Sequence, residues 1–252
     1  MAHTEQTTDD AFLGGALRIL QPTHGYRAGL DALLLAASVT SAARVLDVGA
    51  GVGVVGIAVA HRLVDAEVVL IERDPRLARL ARANIVRNGL KQRVRVIEAD
   101  VTGPFSILAE LGVAAESFDH VLANPPYDTV GRCTVGRDKG ASHAMPGGDF
   151  ERWVRFMAAV ARAGGRVSLI HRTEALGAIL AATRGRFGGH IIIPVHARPA
   201  AASNRILVRA AKGSRALLKL LPGIVLHGDD GRFRPEIDAV LRTGAALRLT
   251  GA

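Results

Sequence analysis

Cysteine, lysine and aromatic residues are scarce in this chain of 252 residues. Cys133 is the only cysteine, which excludes an intrachain disulfide bond and a zinc site made of cysteines. The nine histidines show no metal-binding spacing, so we expect no metal site. No apolar run reaches the roughly 18 residues of a membrane span, and the polar stretch from Met1 to Asp10 is unlike a signal peptide. These absences predict a cytoplasmic protein without a membrane partner.

Positive charge is abundant and is carried almost wholly by arginine. The formal net charge is +9, and only four of the 32 basic residues are lysine. Because the arginine fork suits bidentate phosphate contacts, this balance is one footprint of a nucleic-acid partner. Coding bias toward alanine, glycine and arginine explains the charge equally well, so charge alone leaves both interpretations open. The basic residues of the C-terminal part, which form either a phosphate track or a solvated face, are Arg198, Arg205, Arg209, Lys212, Arg215 and Lys219.

From residue 44 onward, short β-branched runs alternate with helical patterns, which is typical of a parallel sheet covered by helices. Seven strands are predicted, at 44–48, 67–72, 94–98, 120–123, 166–171, 190–195 and 205–210. The predicted helices span 52–62, 75–88, 150–163 and 173–183. Residues 102–117 show no clear pattern. Residues 128–148 form a long, glycine-rich and basic loop, which we expect to be functional or unstructured.

A glycine-rich turn follows the first predicted strand. Residues 47–53 read Asp-Val-Gly-Ala-Gly-Val-Gly, and Glu72 ends the next strand. Glycines at such a turn let the backbone approach a ligand closely. A carboxylate at Glu72 can accept both hydroxyl hydrogens of a ribose. Asp100, just past the third strand, is placed to face an adenine ring.

The same glycines leave a second ligand open. Gly51, Gly53 and Gly56 match the G-x-G-x-x-G pattern of a dinucleotide site, so an NAD-binding module is an alternative. Asp47 argues against it, because a carboxylate there would repel a pyrophosphate but attract a cationic or amino-acid-like group. The turn therefore favours a methyl donor over a dinucleotide.

The most informative tetrapeptide is Asn124-Pro125-Pro126-Tyr127, directly after an apolar strand. An aromatic or amide-conjugated NH2 group is a poor nucleophile because its lone pair is delocalised. The Asn124 side-chain oxygen and the Pro125 carbonyl can accept its two hydrogens, which draws the nitrogen toward tetrahedral geometry and frees the lone pair. Successive prolines fix the backbone that aims the carbonyl, and Tyr127 offers a flat face for stacking a flipped base. The tetrapeptide predicts methylation of an exocyclic amine.

Taken together, these segments resemble a known family. The glycine turn paired with Asn124–Tyr127 is similar to the N6-adenine and glutamine-amide branch of Rossmann-like methyltransferases. Other segments resemble the bacterial tRNA(Val) N6-adenine methyltransferases in particular, over most of residues 20–230. The segments that carry this second resemblance are 21–31, 32–37, 204–208 and 212–213. One departure is Gly29-Leu30, where the family commonly has Gly-Thr before the aspartate.

The resemblance implies a Rossmann-like class I methyltransferase fold. Its sheet would have seven mostly parallel strands, an antiparallel last strand, and helices on both faces. Residues 1–43 would pack on the cofactor site and residues 44–252 would form the methyltransferase domain. The implied donor is S-adenosylmethionine, with Asp31 near its methionine end. The residues expected to bind the donor are Asp31, Asp47, Gly49, Ala50, Gly51, Gly53, Glu72, Arg73, Asp100, Val101 and Asn124.

RNA, most simply tRNA, is the expected substrate, with adenine N6 as the acceptor. DNA adenine stays open, although no separate target-recognition segment is evident. Protein glutamine methylation of release factors is an alternative that shares the Asn-Pro-Pro-Tyr chemistry. That family usually carries a helical substrate domain ahead of the fold, and only about forty residues precede the first strand here.

Overall fold

The computed structural model describes residues 6–126 and 149–247, and the elements below are those of these ranges. The strands are β1 Thr7–Phe12, β2 Leu17–Pro22, β3 Arg44–Val48, β4 Glu67–Glu72, β5 Val94–Glu98, β6 Phe118–Ala123, β7 Ala161–Arg172, β8 Phe187–His196, β9 Ser203–Lys212, β10 Lys219–Leu220 and β11 Ile224–Val225. The helices are α1 Leu30–Ala37, α2 Val54–Arg62, α3 Pro75–Arg87, α4 Phe105–Glu110, α5 Asp149–Val160, α6 Leu176–Thr183 and α7 Pro235–Thr243.

One large sheet organises the fold. Its strand order is β10-β8-β9-β7-β6-β3-β4-β5, and β11 pairs with the far end of β8. The strands from β5 to β7 run parallel, whereas β9 lies antiparallel to both β7 and β8. The predicted fold class, a mostly parallel sheet with an antiparallel last strand, is therefore confirmed. The two-residue strands β10 and β11 extend the seven predicted strands and are too short to leave an alternating pattern.

Helices cover both faces of the sheet, as predicted. On β3, Val45 contributes to a core shared with α1, α2, α3 and α7, whereas Leu46 and Val48 contribute to a core shared with α4, α5 and α6. Successive side chains of a strand point to opposite faces, so strands buried on both faces read as continuous apolar runs. This is why β3 and β4 were recognisable from the sequence.

A missed helix and a shifted helix end are two of the differences from the sequence prediction. Residues 102–117, for which no pattern was evident, contain α4, whose six residues bury only Leu108 in full. The helix predicted at 150–163 ends at Val160, because Ala161 already pairs with Phe118 of β6. Backbone pairing with the neighbouring strand overrides the apparent stop at the following glycines.

An N-terminal hairpin, β1–β2, stands apart from the large sheet and docks on α3. The buried side chain of Asn84 bonds to the Leu20 amide at 2.7 Å, the Leu20 carbonyl at 3.0 Å and the Val52 carbonyl at 3.0 Å. One turn later, Asn88 bonds in the same way to the backbone of Arg18 at a more exposed position. Asn84 thus ties the hairpin both to α3 and to the glycine turn.

Over the described ranges, no helix combines the length and apolar character needed to cross a bilayer. The same residues hold no group of three or more His, Cys, Asp or Glu side chains arranged to bind a metal ion.

Candidate active site

The glycine turn and the Asn-Pro-Pro motif leave the sheet side by side. β3 and β6 are parallel neighbours, and Val48 pairs with Ala123 in their register. Gly49 and Asn124 are the next residues of these two strands, at the same carboxyl edge. Adjacent strands lie about 4.8 Å apart. The strand order also reverses here, since β4 lies on one side of β3 and β6 on the other. Ligands of open α/β sheets bind at such a switch point.

The glycine turn depends on residues without side chains. Gly49, Gly51 and Gly53 have φ values of +67°, +58° and +90°, in the left-handed region that disfavours other residues. A methyl group on Gly49 would overlap the Trp153 ring, and one on Gly51 would overlap the Tyr26 ring. The turn is therefore enclosed by two aromatic side chains, from α5 and from the segment before α1.

The Asp47 carboxyl group lies beneath the turn. Its side chain is 1% exposed, and Oδ2 accepts the Gly56 amide hydrogen at 3.0 Å, in the first turn of α2. Burial raises the pKa of Asp47 to about 7, against the opposing effect of that hydrogen bond. Asp47 therefore holds the start of α2, which has no side-chain cap of its own. This burial leaves almost no carboxyl surface for a ligand, so direct donor contact by Asp47 stays a prediction.

Glu72 links the turn to the next connection. Oε2 accepts the Gly51 amide hydrogen at 2.8 Å, and Oε1 accepts the Asp74 amide hydrogen at 2.8 Å. Glu72 as a whole residue is 7% exposed. Because a carboxylate oxygen has two lone pairs, each oxygen keeps acceptor capacity beyond its amide bond.

Asp100 faces the start of α3 across an open cleft of about 510 Å³. The residues that line this cleft are Arg73, Asp74, Pro75, Arg76 and Asp100. Asp100 and Arg73 are exposed, whereas Val101 is buried in the adjoining core. Asp100 Oδ1 accepts two hydrogen bonds from Thr102, at 2.8 Å from its amide and 2.7 Å from its hydroxyl. These bonds fix the direction of the Asp100 carboxylate.

The Asn-Pro-Pro motif is held by the neighbouring strand β7. Pro125 is buried, and Asn124 and Pro126 are half-buried. His171, which is 3% exposed, hydrogen-bonds to the backbone of Pro126. Proline has no backbone N–H, so the Pro126 carbonyl must accept this bond from the imidazole. Burial lowers the pKa of His171, and the charges of Arg172 and Arg205 act in the same direction. Tyr127, the last residue of the motif, lies outside the described residues.

Asp31 reaches the same edge from α1. Its Oδ2 accepts a charged hydrogen bond from Arg205 Nε at 2.9 Å. Arg205 lies opposite Arg172 in the register of β9 with β7. An ion pair between residues 174 positions apart thus joins the N-terminal segment to the edge that carries the Asn-Pro-Pro motif.

Comparison with known proteins agrees with this geometry. Residues 28–136 match the family model of the methyltransferase small domain. The tRNA1(Val) (adenine(37)-N6)-methyltransferase of Aeromonas hydrophila is 29% identical over 82% of this chain and 85% of its own length. The protein of the same name from Bacteroides thetaiotaomicron is 36% identical over 40% of each chain. A crystal structure described as a predicted O-methyltransferase from Agrobacterium tumefaciens is 38% identical, with a TM-score of 0.74 over 86% of this chain and 98% of that one.

This chain is a class I methyltransferase, and its residues 28–136 match the methyltransferase small domain. Its methyl donor is S-adenosylmethionine, as the sequence predicts. The described residues of this methyltransferase fit that donor. Glu72 keeps lone pairs for ribose hydroxyls, and Asp100 borders the open cleft of about 510 Å³ beside the start of α3.

Four residues of the methyltransferase site were not predicted from the sequence in the role that they have in the structure. Asn84 and Tyr26 contact the glycine turn, Arg205 pairs with Asp31, and His171 bonds to Pro126. Tyr26 and Arg205 lie within segments that carry the family resemblance, which was the available signal. Asn84 is an ordinary residue in a helical pattern, and nothing in the sequence indicates its partners.

The basic C-terminal residues do not form one continuous track in the methyltransferase. Arg205 is paired with Asp31, Arg209 is 8% exposed, and Lys212 bonds to Glu116 at 2.9 Å. A residue whose charge is neutralised or buried contributes little to phosphate binding. We therefore exclude these three residues from the phosphate track, which was one of the two interpretations that the sequence left open.

Proposed function

We propose that this methyltransferase transfers the methyl group of S-adenosylmethionine to N6 of an adenine in tRNA. The observation that carries the proposal is the register of β3 with β6, which sets Gly49 beside Asn124 at one edge. The donor turn and the amine-binding motif then open on one crevice. The names of the Aeromonas and Bacteroides relatives support adenine in tRNA as the substrate. A tRNA substrate also places the activity in the cytoplasm.

The donor would be held along the edge from β3 to β5. In this arrangement Glu72 accepts the ribose hydroxyl hydrogens, while Asp100 accepts from the adenine amino group. Asp31, oriented by Arg205, lies at the methionine end. The remaining residues that we assign to the donor site are Asp47, Gly49, Ala50, Gly51, Gly53, Arg73, Val101 and Asn124. When bound, the donor supplies an electrophilic sulfonium methyl group.

The acceptor amine would be positioned by the Asn-Pro-Pro motif. The Asn124 side-chain oxygen and the Pro125 carbonyl accept the two amine hydrogens, and Tyr127 stacks on the base. Drawing both hydrogens to one side directs the nitrogen lone pair toward the methyl group. Positioning of this kind supplies most of the rate and requires no base of unusual pKa.

The name of the Agrobacterium structure raises O-methylation as a second candidate. A hydroxyl group must lose its proton to become a good nucleophile, so an O-methyltransferase needs a base or a metal ion at the acceptor. The imidazole in contact with the motif is that of His171. Its Nδ1 accepts the Arg172 amide hydrogen at 2.9 Å, so the ring's lone pair is already engaged. The motif therefore favours an amine acceptor.

The direct test uses unmodified tRNA from cells that lack this gene. Purified protein and S-adenosylmethionine should produce N6-methyladenosine, detected by mass spectrometry of the digested nucleosides. Asn124→Ala should lose most of the turnover yet keep its affinity for S-adenosylhomocysteine, because Asn124 acts on the amine. Asn88→Ala, the same substitution outside the site, is the matched control and should retain activity.

The possible results separate the candidates. Methylated ribose or another O-methylated product would establish the O-methyltransferase alternative. Methylation of a release-factor glutamine, with none of tRNA, would establish the protein substrate. Tight binding of NAD without binding of S-adenosylhomocysteine would refute the donor assignment itself.

A further inference from the structure

His171 fixes the backbone angle that the prolines leave open at the C-terminal end of the Asn-Pro-Pro motif. A proline ring locks its own φ, and a following proline restricts the ψ of the residue before it. Asn124 and Pro125 each precede a proline, and Pro125 and Pro126 each have a locked φ. Between the φ angle of Asn124, where the chain leaves β6, and the ψ angle of Pro126, no torsion is therefore unrestricted. The ψ angle of Pro126 sets the direction of the Pro126 carbonyl, and this carbonyl accepts the hydrogen bond from the imidazole.

The bonds of His171 define its tautomer. Nδ1 accepts the Arg172 amide hydrogen at 2.9 Å, so this nitrogen carries a lone pair and no proton. The bond to the Pro126 carbonyl needs an N–H donor, which must then be Nε2–H. The imidazole is consequently neutral, with its proton on Nε2.

The ring is also held in place by its surroundings. It is 3% exposed and packs edge-on against Phe150, with ring centroids 6.4 Å apart and planes at 64°. The charged neighbours that face it are Arg172, its chain neighbour, and Arg205 on β9, and both disfavour an imidazolium. A buried ring with one donor and one acceptor bond has little freedom to reorient.

We infer that His171 is a positioning residue for methyl transfer, which orients the Asn-Pro-Pro motif through an Nε2–H bond to the Pro126 carbonyl. The inference rests on the proposed function, because anchoring the Pro126 carbonyl to β7 holds the stiff Asn124–Pro126 segment in place as a unit, and with it the Pro125 carbonyl and the Asn124 amide that face the acceptor amine. His171 itself contacts neither donor nor acceptor in this scheme.

Two nearly isosteric variants separate donation from packing. A Gln side chain places an amide group near the position of Nε2, so His171→Gln retains a donor for the Pro126 carbonyl. An Asn side chain reaches only the position of Nδ1, so His171→Asn keeps the bond with the Arg172 amide and loses the donor. We expect His171→Asn to lower kcat by about 10- to 100-fold, with the donor KM unchanged. His171→Gln should stay within about threefold of the wild type.

A structural role alone would give a different pattern. If both variants lose activity equally, in parallel with their melting temperatures, the positioning role is refuted. It is also refuted if both retain full kcat.

A second measurement does not depend on the substrate. Two-bond ¹H–¹⁵N spectra of the histidine rings identify each tautomer, and His171→Asn assigns the signals of residue 171 by their disappearance. The wild type should show a neutral ring protonated at Nε2, and an Nδ1–H tautomer or an imidazolium would overturn the inference. If the spectrum is as expected but no tRNA is methylated by the wild type, the proposed function fails and the bond between His171 and Pro126 stands.

Discussion

Asn84→Ala is the substitution whose cost is best defined by the structure. The side chain is buried and serves three backbone groups, which are the amide and carbonyl of Leu20 and the carbonyl of Val52. Leaving a buried backbone group without a partner costs about 1–3 kcal/mol. The two Leu20 groups are only half-buried and regain some water, whereas the Val52 carbonyl is fully buried. Alanine's better helix propensity returns about 0.7 kcal/mol at most.

The expected net loss in the free energy of unfolding is about 3–5 kcal/mol. Asn88→Ala provides the control, because Asn88 lies one turn further along the chain and makes equivalent bonds to the backbone of Arg18. Those bonds are exposed, so water replaces them and the loss should be about 1 kcal/mol. Urea denaturation of the two variants measures the difference.

Function should follow stability at this position. Because Asn84 holds the Val52 carbonyl inside the glycine turn, Asn84→Ala should also weaken S-adenosylhomocysteine binding in calorimetry, whereas Asn88→Ala should not. A loss for Asn84→Ala equal to or smaller than that for Asn88→Ala would refute the argument that burial sets the cost. Unchanged ligand affinity in a folded Asn84→Ala would refute the link to the turn.

The remaining predictions concern the turn and its two carboxyl groups. Glu72→Gln should weaken S-adenosylhomocysteine binding about 5- to 100-fold in calorimetry. The side-chain amide of glutamine has only one oxygen, so it cannot accept hydrogen bonds from both the Gly51 and the Asp74 amides. Equal affinity of the variant and the wild type would contradict this assignment. The raised pKa of Asp47 means that the folded state holds its proton more tightly than the unfolded state, so stability is lost as pH rises from about 4 to about 7. Asp47→Asn should remove this loss of stability, which is at most about 4 kcal/mol. Urea titrations at several pH values test this, and a difference in the free energy of unfolding between wild type and variant that does not vary with pH would refute it. Gly51→Ala should cost at least about 1–2 kcal/mol of backbone strain at φ +58°. Combining Gly51→Ala with Tyr26→Ala should restore only the part of the lost free energy of unfolding that is due to overlap with the ring. If the double variant regains all of that free energy in denaturation experiments, backbone strain contributes nothing.

Local patterns predicted the fold because parallel strands buried on both faces are continuous apolar runs. β3, β4 and β5 lie within the predicted bounds, and the start of α3 at Pro75 follows from the Asp74 cap. α4 was missed because six residues with one buried side chain leave no helical period. The end of α5 was misplaced because sheet pairing, a long-range interaction, decides it.

The candidate site divides in the same way. The residues at which the chain leaves β3, β4 and β6 were predictable, since a glycine turn, a terminal carboxylate and Asn-Pro-Pro are chemical signals carried by consecutive residues. Tyr127 lies outside the described residues, so its role stays a prediction. The period of the strand places the Asp47 carboxyl group against α2, where it accepts the Gly56 amide hydrogen, and direct ligand contact by Asp47 stays a prediction.

The sequence by itself determined which chemistry this protein carries, because glycine, proline and amide functions act through their own backbone and side-chain properties. Only the tertiary structure decided which partners hold those groups. Asn84 and Arg205 contact residues that lie 32 and 174 positions away in the chain, and His171 contacts the motif that follows the neighbouring strand. No local pattern of the sequence encodes such pairs. Packing brings them together, since each buried polar group must find a partner wherever the sheet places one.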